Sequence, residues 1–227
     1  MNRYALITEK MPREFLLLEG RGCAWKRCTF CDYHTDVSDH PFAVNKDVLS
    51  EVTGRFGILD IINSGSCLEL DEATLGLIAD IARDNRIHTL WFEAHWMYRD
   101  RLTDFAARFP DVTVRFRTGI ETFDTPARRR LCKGIPDSVT AGDVARYFQG
   151  VCLLIGLAGQ TREAISHDIE TAMAHFAYFS VNAFVENTTD ERRDNRLVDW
   201  FIREWGPRLT QHPTAEVLLN NTDLGVG

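Results

Sequence analysis

The sequence lacks any apolar run of the roughly 18 residues that a bilayer-spanning helix needs. Its opening stretch, MNRYALITEKMPREFLLLEG, has no apolar core of signal-peptide length. These absences predict a cytoplasmic protein with no membrane partner. It also lacks an excess of positive charge: 26 Lys and Arg stand against 33 Asp and Glu, a formal charge of −7. Extensive contact with a nucleic-acid backbone needs the opposite balance, because cations on the protein must displace condensed counterions. Arg128, Arg129 and Arg130 cluster and Arg192 and Arg193 adjoin, and such short runs read first as solvated helix faces. No linker, low-complexity segment or internal repeat interrupts the chain, so residues 1–227 are predicted to form a single domain. The six cysteines include no second closely paired motif. In a reducing compartment they read as thiols or metal ligands, not disulfides.

What is present is a strand–helix rhythm. Apolar runs at Phe15–Leu18, Ile58–Ile62, His88–Phe92, Val112–Phe116, Val151–Ile155 and Phe179–Val185 read as buried strands, with a shorter one at Val217–Leu219. Helical spacing falls between them. Asn45 is placed as the cap of a helix burying Val48, Leu49, Val52 and Phe56, and Asp71 starts a second. Further helices are expected over Arg101–Phe109, Thr161–Phe176 and Asp194–Trp205. Strands alternating with helices imply an α/β fold with a parallel sheet, since parallel neighbours need crossover connections. Ligands in such folds gather beyond the C-terminal ends of the strands.

Beyond the first apolar strand comes GRGCAWKRCTFCDYHTD. Its spacing is Cys23-x4-Cys28-x2-Cys31, with His34 three residues on. Thiolates this close can wrap one soft metal centre, and two chemistries fit. Cys23, Cys28, Cys31 and His34 would make a closed Cys3His zinc site. Alternatively, three thiolates hold an iron–sulfur cluster; ordinary clusters use four, so one iron is left open.

The loop's position after a first strand, Phe30 directly before the last cysteine and Asp32-Tyr33-His34 after it resemble the cluster loop of the radical S-adenosylmethionine superfamily. The x4 gap departs from the family's usual x3. Later strand ends extend the resemblance. Asn63-Ser64-Gly65-Ser66 stands where the family often has a Gly-Gly-Glu-like turn, here without its acid. Gly119-Ile120-Glu121-Thr122 and Gly156-Leu157-Ala158-Gly159-Gln160-Thr161 are similar to two more of its turns. The resemblance implies a partial (β/α)6 TIM-like barrel and a [4Fe–4S] cluster on Cys23, Cys28 and Cys31. It implies reductive cleavage of S-adenosylmethionine to a 5′-deoxyadenosyl radical, and an electron donor such as flavodoxin or ferredoxin. For the cofactor it points to Phe30, Ser64, Gly65 and Ser66, with Glu93, Arg117 and Glu121 as polar strand-end binders. Glu121 reads equally well as half of a structural ion pair with an arginine.

The absence of an added recognition domain points to a small-molecule substrate. ITEKMPREFLLLEGRGCAWKRCTFCDYHTD, FVENTT and the short C-terminus resemble the small lyases of queuine salvage, which release the 7-aminomethyl-7-deazaguanine base. That resemblance makes Tyr33, His34, His95 and Trp96 pocket residues, His34 among them instead of a fourth metal ligand. Glu186 and Asp223 are candidate carboxylates for a 7-deazaguanine edge, and Asn182, Asn187, Asn220 and Asn221 candidates for its carbonyl or the diol. Asn220-Asn221-Thr222-Asp223 reads alternatively as a polar turn, and His95 as a structural histidine. The tail beyond Asp223 is expected to close over the site. Cys152 reads as core, Cys132 as a helix end, and Cys67 as the one further cysteine with a route to the site. The alternatives are a radical enzyme acting on an unrelated metabolite, an RNA or a peptide, and a non-catalytic zinc module.

Overall fold

Strand β1 (Tyr4–Ile7) runs antiparallel to β2 (Arg13–Leu18), with Tyr4 opposite Leu16 and Ile7 opposite Arg13. Apolar periodicity does not reveal β1, because four residues are too few to show alternation. The computed structural model describes all 227 residues and divides into two compact units. The first comprises Met1–Lys26, Tyr33–Phe116 and Leu224–Gly227; the second comprises Arg27–Asp32 and Arg117–Asp223.

In the first unit β2 pairs in parallel with β3 (Ile58–Asn63), and β3 with β4 (Thr89–Glu93). Helix α1 (Pro41–Leu49) crosses between β2 and β3, and α2 (Glu72–Asp84) between β3 and β4. Asp71 caps α2 as expected, accepting from Thr74 N. Asn45, by contrast, is not a cap. It lies inside α1, which starts at Pro41, and its buried amide accepts from Glu19 N at 2.7 Å and donates to Glu19 O at 2.9 Å. The helix expected from Arg101 is shorter: a 3-10 segment, Trp96–Arg101, leads into α3 (Leu102–Ala106). The rings of Phe92, Phe105, Phe109 and Phe116 pack edge-on and tilted, with centroids 5.2–6.5 Å apart. The tail belongs to this unit. Asn2 and Gly227 exchange two backbone hydrogen bonds, and Val226 is buried.

Strand β5 (Thr113–Glu121) passes from the first unit into the second after Phe116. It outruns the expected strand because Arg117 and Thr118, though polar, are fully buried. In the second unit come α4 (Thr125–Arg130), α5 (Ala141–Ala145), β6 (Gly150–Ile155), α6 (Arg162–His175), β7 (Tyr178–Ala183), α7 (Asn195–Glu204), α8 (Gly206–Gln211) and β8 (Ala215–Leu218). Strands β5 to β8 pair in parallel in chain order. Thr161 and Asp194 cap α6 and α7 at the expected starts. No helix is long and apolar enough to cross a membrane.

Candidate active site

The cysteine loop leaves β2 at Leu18. In the first unit its two limbs are tied at the base. Arg3 donates to Glu19 at 2.7 Å and to both oxygens of Asp36, at 2.7 and 3.2 Å. Gly20 bridges Val37, and Gly22 takes φ 96°, where a Cβ would press on His34 O.

Beyond that base one carboxylate fastens the first cysteine's neighbour. Glu69 accepts from Ala24 N (3.0 Å), Ser66 N (2.9 Å) and Tyr98 Oη (2.8 Å). Burial and this bond push the Tyr98 phenol well above its usual range. Gly65 leaves room for the arrangement, since a Cβ there would run into Glu69 Oε2 and the Cys23 Cα. The acid missing from the Asn63–Ser66 turn is therefore supplied three residues later, facing the turn's backbone and the loop. The sequence reading missed Glu69; the available signal was Ser66 with an acid three positions on, ahead of an apolar run.

The x4 gap also has a structural counterpart. Trp25, within it, stacks on His95 with ring centroids 5.1 Å apart and planes 18° apart. Lys26, the next residue in the gap, takes a left-handed conformation, φ 47°. His95 is held from both sides: its backbone N–H donates to Ser66 Oγ, and its ring Nδ1 accepts from Met97 N. That contact orients the ring, with Nδ1 turned to the Met97 backbone. Ser64 Oγ is buried without a hydrogen-bond partner. Glu93 ends β4 half-buried, His34 is half-buried, and Tyr33 is 58 % exposed. Cys67 is fully buried, and burial pushes its thiol up, away from reactive thiolate.

In the second unit Phe30 packs on a bed of Leu131, Leu154, Leu157 and Phe184. Lys133 Nζ lies 5.6 Å from the Phe30 ring centroid and 2.9 Å from Glu121 Oε1. Glu121 thus makes an ion pair, one of its two readings from sequence, with a buried lysine in the place of an arginine. A bulge between Gly119 and Glu121, with Glu121 at φ 65°, turns the carboxylate to this partner. A side chain at Gly119 would occupy the space of both charged ends. Lys133 stands in the family-like passage after Glu121, but nothing in one dimension pairs the two.

The segment 186–191 grips the second half of the cysteine loop. Asn187 Nδ2 donates to Phe30 O at 2.8 Å, Thr188 N and Oγ1 donate to Asp32 at 3.0 and 2.9 Å, and Thr29 Oγ1 donates to Glu191 at 2.6 Å. Glu186 accepts from Arg193 N, and Asp223 accepts from Leu219 N and Asn220 N. These two expected substrate carboxylates thus close their own turns, while Asn221 is exposed. Arg117 lies away from the strand ends, level with Gly150 and Tyr178 at the starts of β6 and β7, over the Tyr178 ring. Gln160 closes the turn after β6, accepting from Leu157 N and donating to Leu154 O.

None of the six cysteines forms a disulfide, and Cys23, Cys28 and Cys31 are each half-buried. No three His, Cys, Asp or Glu side chains stand close enough together to hold a single metal ion. A four-iron cluster is wider than one ion, and its cysteine sulfurs grip separate iron atoms. Cys23, Cys28 and Cys31 offer three soft donors within nine residues of one loop, and that donor set fits such a group.

No protein-family model and no curated protein matches the chain. Solved structures do, two of them as follows. One is a queuine lyase from Clostridium spiroforme bound to S-adenosylmethionine and queuine. It shares 35% identity over 100% of this chain and 99% of its own, with a TM-score of 0.95. The other is Streptococcus suis SuiB bound to S-adenosylmethionine, at 16% identity and TM-score 0.56, covering 92% of this chain and 48% of SuiB. SuiB shares the fold alone. The α/β architecture is the partial (β/α)6 barrel of these enzymes, and the chain belongs to the queuine lyase family of radical S-adenosylmethionine enzymes.

Proposed function

We propose that this protein cleaves queuine, releasing the 7-aminomethyl-7-deazaguanine base, with a [4Fe–4S] cluster and S-adenosylmethionine as cofactors. The observation that carries the reading is the full-length match, 35% identity at TM-score 0.95, to a queuine lyase bound to both small molecules. When bound, the reduced cluster and S-adenosylmethionine supply a carbon radical able to abstract a substrate hydrogen.

The chain's own part is to hold and orient. Cys23, Cys28 and Cys31 hold the cluster. Phe30, on its apolar bed, offers a flat face to the cofactor's adenine. Ser64, Gly65, Ser66 and Glu93 line the first unit's strand ends, and Glu121 those of the second, for the polar groups of the same molecule. Lys133 holds the Glu121 carboxylate in place. Arg117 sets the floor of β5–β7 instead of touching the cofactor. For the substrate, His95, His34, Tyr33 and Asn221 remain as pocket residues. Glu186, Asn187 and Asp223, with their polar groups engaged, shape the loops that carry the pocket. Residues 1–227 act as one domain in the cytoplasm, served by a flavodoxin- or ferredoxin-type donor.

Anaerobic reconstitution with iron and sulfide, followed by reduction with S-adenosylmethionine and queuine present, tests the reading. A brown protein with a four-iron cluster that forms 5′-deoxyadenosine and the aminomethyl base supports it. A colourless protein retaining zinc overturns the cofactor assignment. A brown protein that forms 5′-deoxyadenosine only at its uncoupled rate overturns the substrate.

A further inference from the structure

One polar group at the end of β7 is left without a partner inside the fold. Side chains of β7 alternate: Tyr178, Ser180 and Asn182 lie on one face, Phe179, Val181 and Ala183 on the other. Asn182 is in register with Leu154 on β6 and Leu218 on β8, and residues opposite one another share a face. Leu154 belongs to the bed under Phe30, and so does Phe184, two residues beyond Asn182. Asn182 therefore lies one residue from the C-terminal end of its strand, on the face that carries the cofactor-side aromatic.

Its Oδ1 is buried and makes no hydrogen bond. Lower on the same face the polar groups are satisfied: Tyr178 Oη donates to Glu216 at 2.8 Å, and the Arg117 guanidinium covers the Tyr178 ring. The other polar residues at this end are also committed. Asn187 holds Phe30, Glu186 holds Arg193, and Asn220 donates to Asp223. A buried amide oxygen without a donor is costly, and such exceptions in a native structure call for an explanation. Asn182 as a whole is only half-buried, and rotation about its broad terminal torsion lets the amide oxygen meet a ligand on the exposed side.

We propose that Asn182 is a specificity-determining residue whose Oδ1 accepts a hydrogen bond from the substrate, either a base N–H or a cyclopentenediol hydroxyl. The proposal rests on queuine as the substrate. The group is built into the fold as a missing donor, which the correct ligand supplies and a ligand lacking that N–H or O–H does not.

The test compares reconstituted wild type with Asn182→Leu, which keeps the branched shape at a somewhat larger volume and removes the acceptor, and Asn182→Asp, which keeps an acceptor. Queuine binding is measured on unreduced, S-adenosylmethionine-loaded protein, so that no turnover occurs, together with thermal midpoints without queuine. Asn182→Leu is expected to bind queuine about tenfold or more weakly, with a midpoint unchanged or raised because an orphan polar group has gone. Asn182→Asp is expected to recover part of the affinity. Repeating the titration with the 7-aminomethyl-7-deazaguanine base identifies the donor: a parallel loss assigns it to the base, an unchanged affinity to the diol. Wild-type affinity in Asn182→Leu overturns the proposal. So does a loss of affinity accompanied by a lowered midpoint, which would mark the oxygen as engaged within the fold. If wild type itself ignores queuine, the substrate reading fails, and this inference with it.

Discussion

Asp168 shows how a single carboxylate ties a strand end to a helix. It lies on α6, 2 % exposed, and accepts from Phe123 N at 2.6 Å, in the turn that follows Glu121 on β5. Burial is the main cause of a pKa raised from 3.8 to about 6; the bonds from Thr122 and Phe123 oppose it without cancelling it. Because the folded value lies above the unfolded one, the stabilising contribution is fully present below pH 3.8. It is lost as pH rises through about 6. The shift corresponds to about 3 kcal/mol as an order of magnitude. Thermal midpoints measured from pH 4 to pH 7 are therefore expected to fall for wild type relative to Asp168→Asn, which cannot ionise, by several degrees. Parallel curves for the two proteins would show that Asp168 titrates normally in the fold.

Among the elements, the strand cores and the caps of α2, α6 and α7 were legible from apolar runs and from Asp71, Thr161 and Asp194, because burial and capping are local signals. The cysteine loop was legible too. Its anchors were not, since each is a long-range pairing: Asn45 with Glu19, Glu69 with Ala24, Lys133 with Glu121, and the segment 186–191 with residues 29–32. That last segment makes a prediction of its own. Asn187 spends its amide N–H on Phe30 O and its Oδ1 on Thr189. Asn187→Ala is thus expected to release the backbone between Cys28 and Asp32. Iron content after reconstitution should fall and cluster bleaching in air should quicken, while chains that do carry a cluster bind queuine nearly as wild type does. A variant with full, air-resistant cluster loading and weakened queuine binding would instead return Asn187 to the substrate.

At the scale of the molecule, both chain ends converge on the residue that ties the loop. Gly227 N donates to Asn2 O at 2.8 Å, Asn2 N donates to Gly227 O at 3.3 Å, and Asn2 Nδ2 reaches Gly225 O. Val226 is 4 % exposed, and Gly225 sits so close to Ala5 that a side chain there would collide with it. The next residue, Arg3, is the one that clasps Glu19 and Asp36. The tail is thus joined to Asn2, the neighbour of the Arg3 that braces the base of the cysteine loop. Ending the chain at Asp223 removes the burial of Val226, about 2 kcal/mol, and should lower the thermal midpoint by roughly 4–8 °C. Well below that midpoint the shortened chain is also expected to take up less iron than wild type, as Arg3→Ala should, because the base of the loop has lost its brace. Normal iron uptake by the shortened chain, with only the midpoint lowered, would confine the tail to stabilising the first unit and separate it from the cluster.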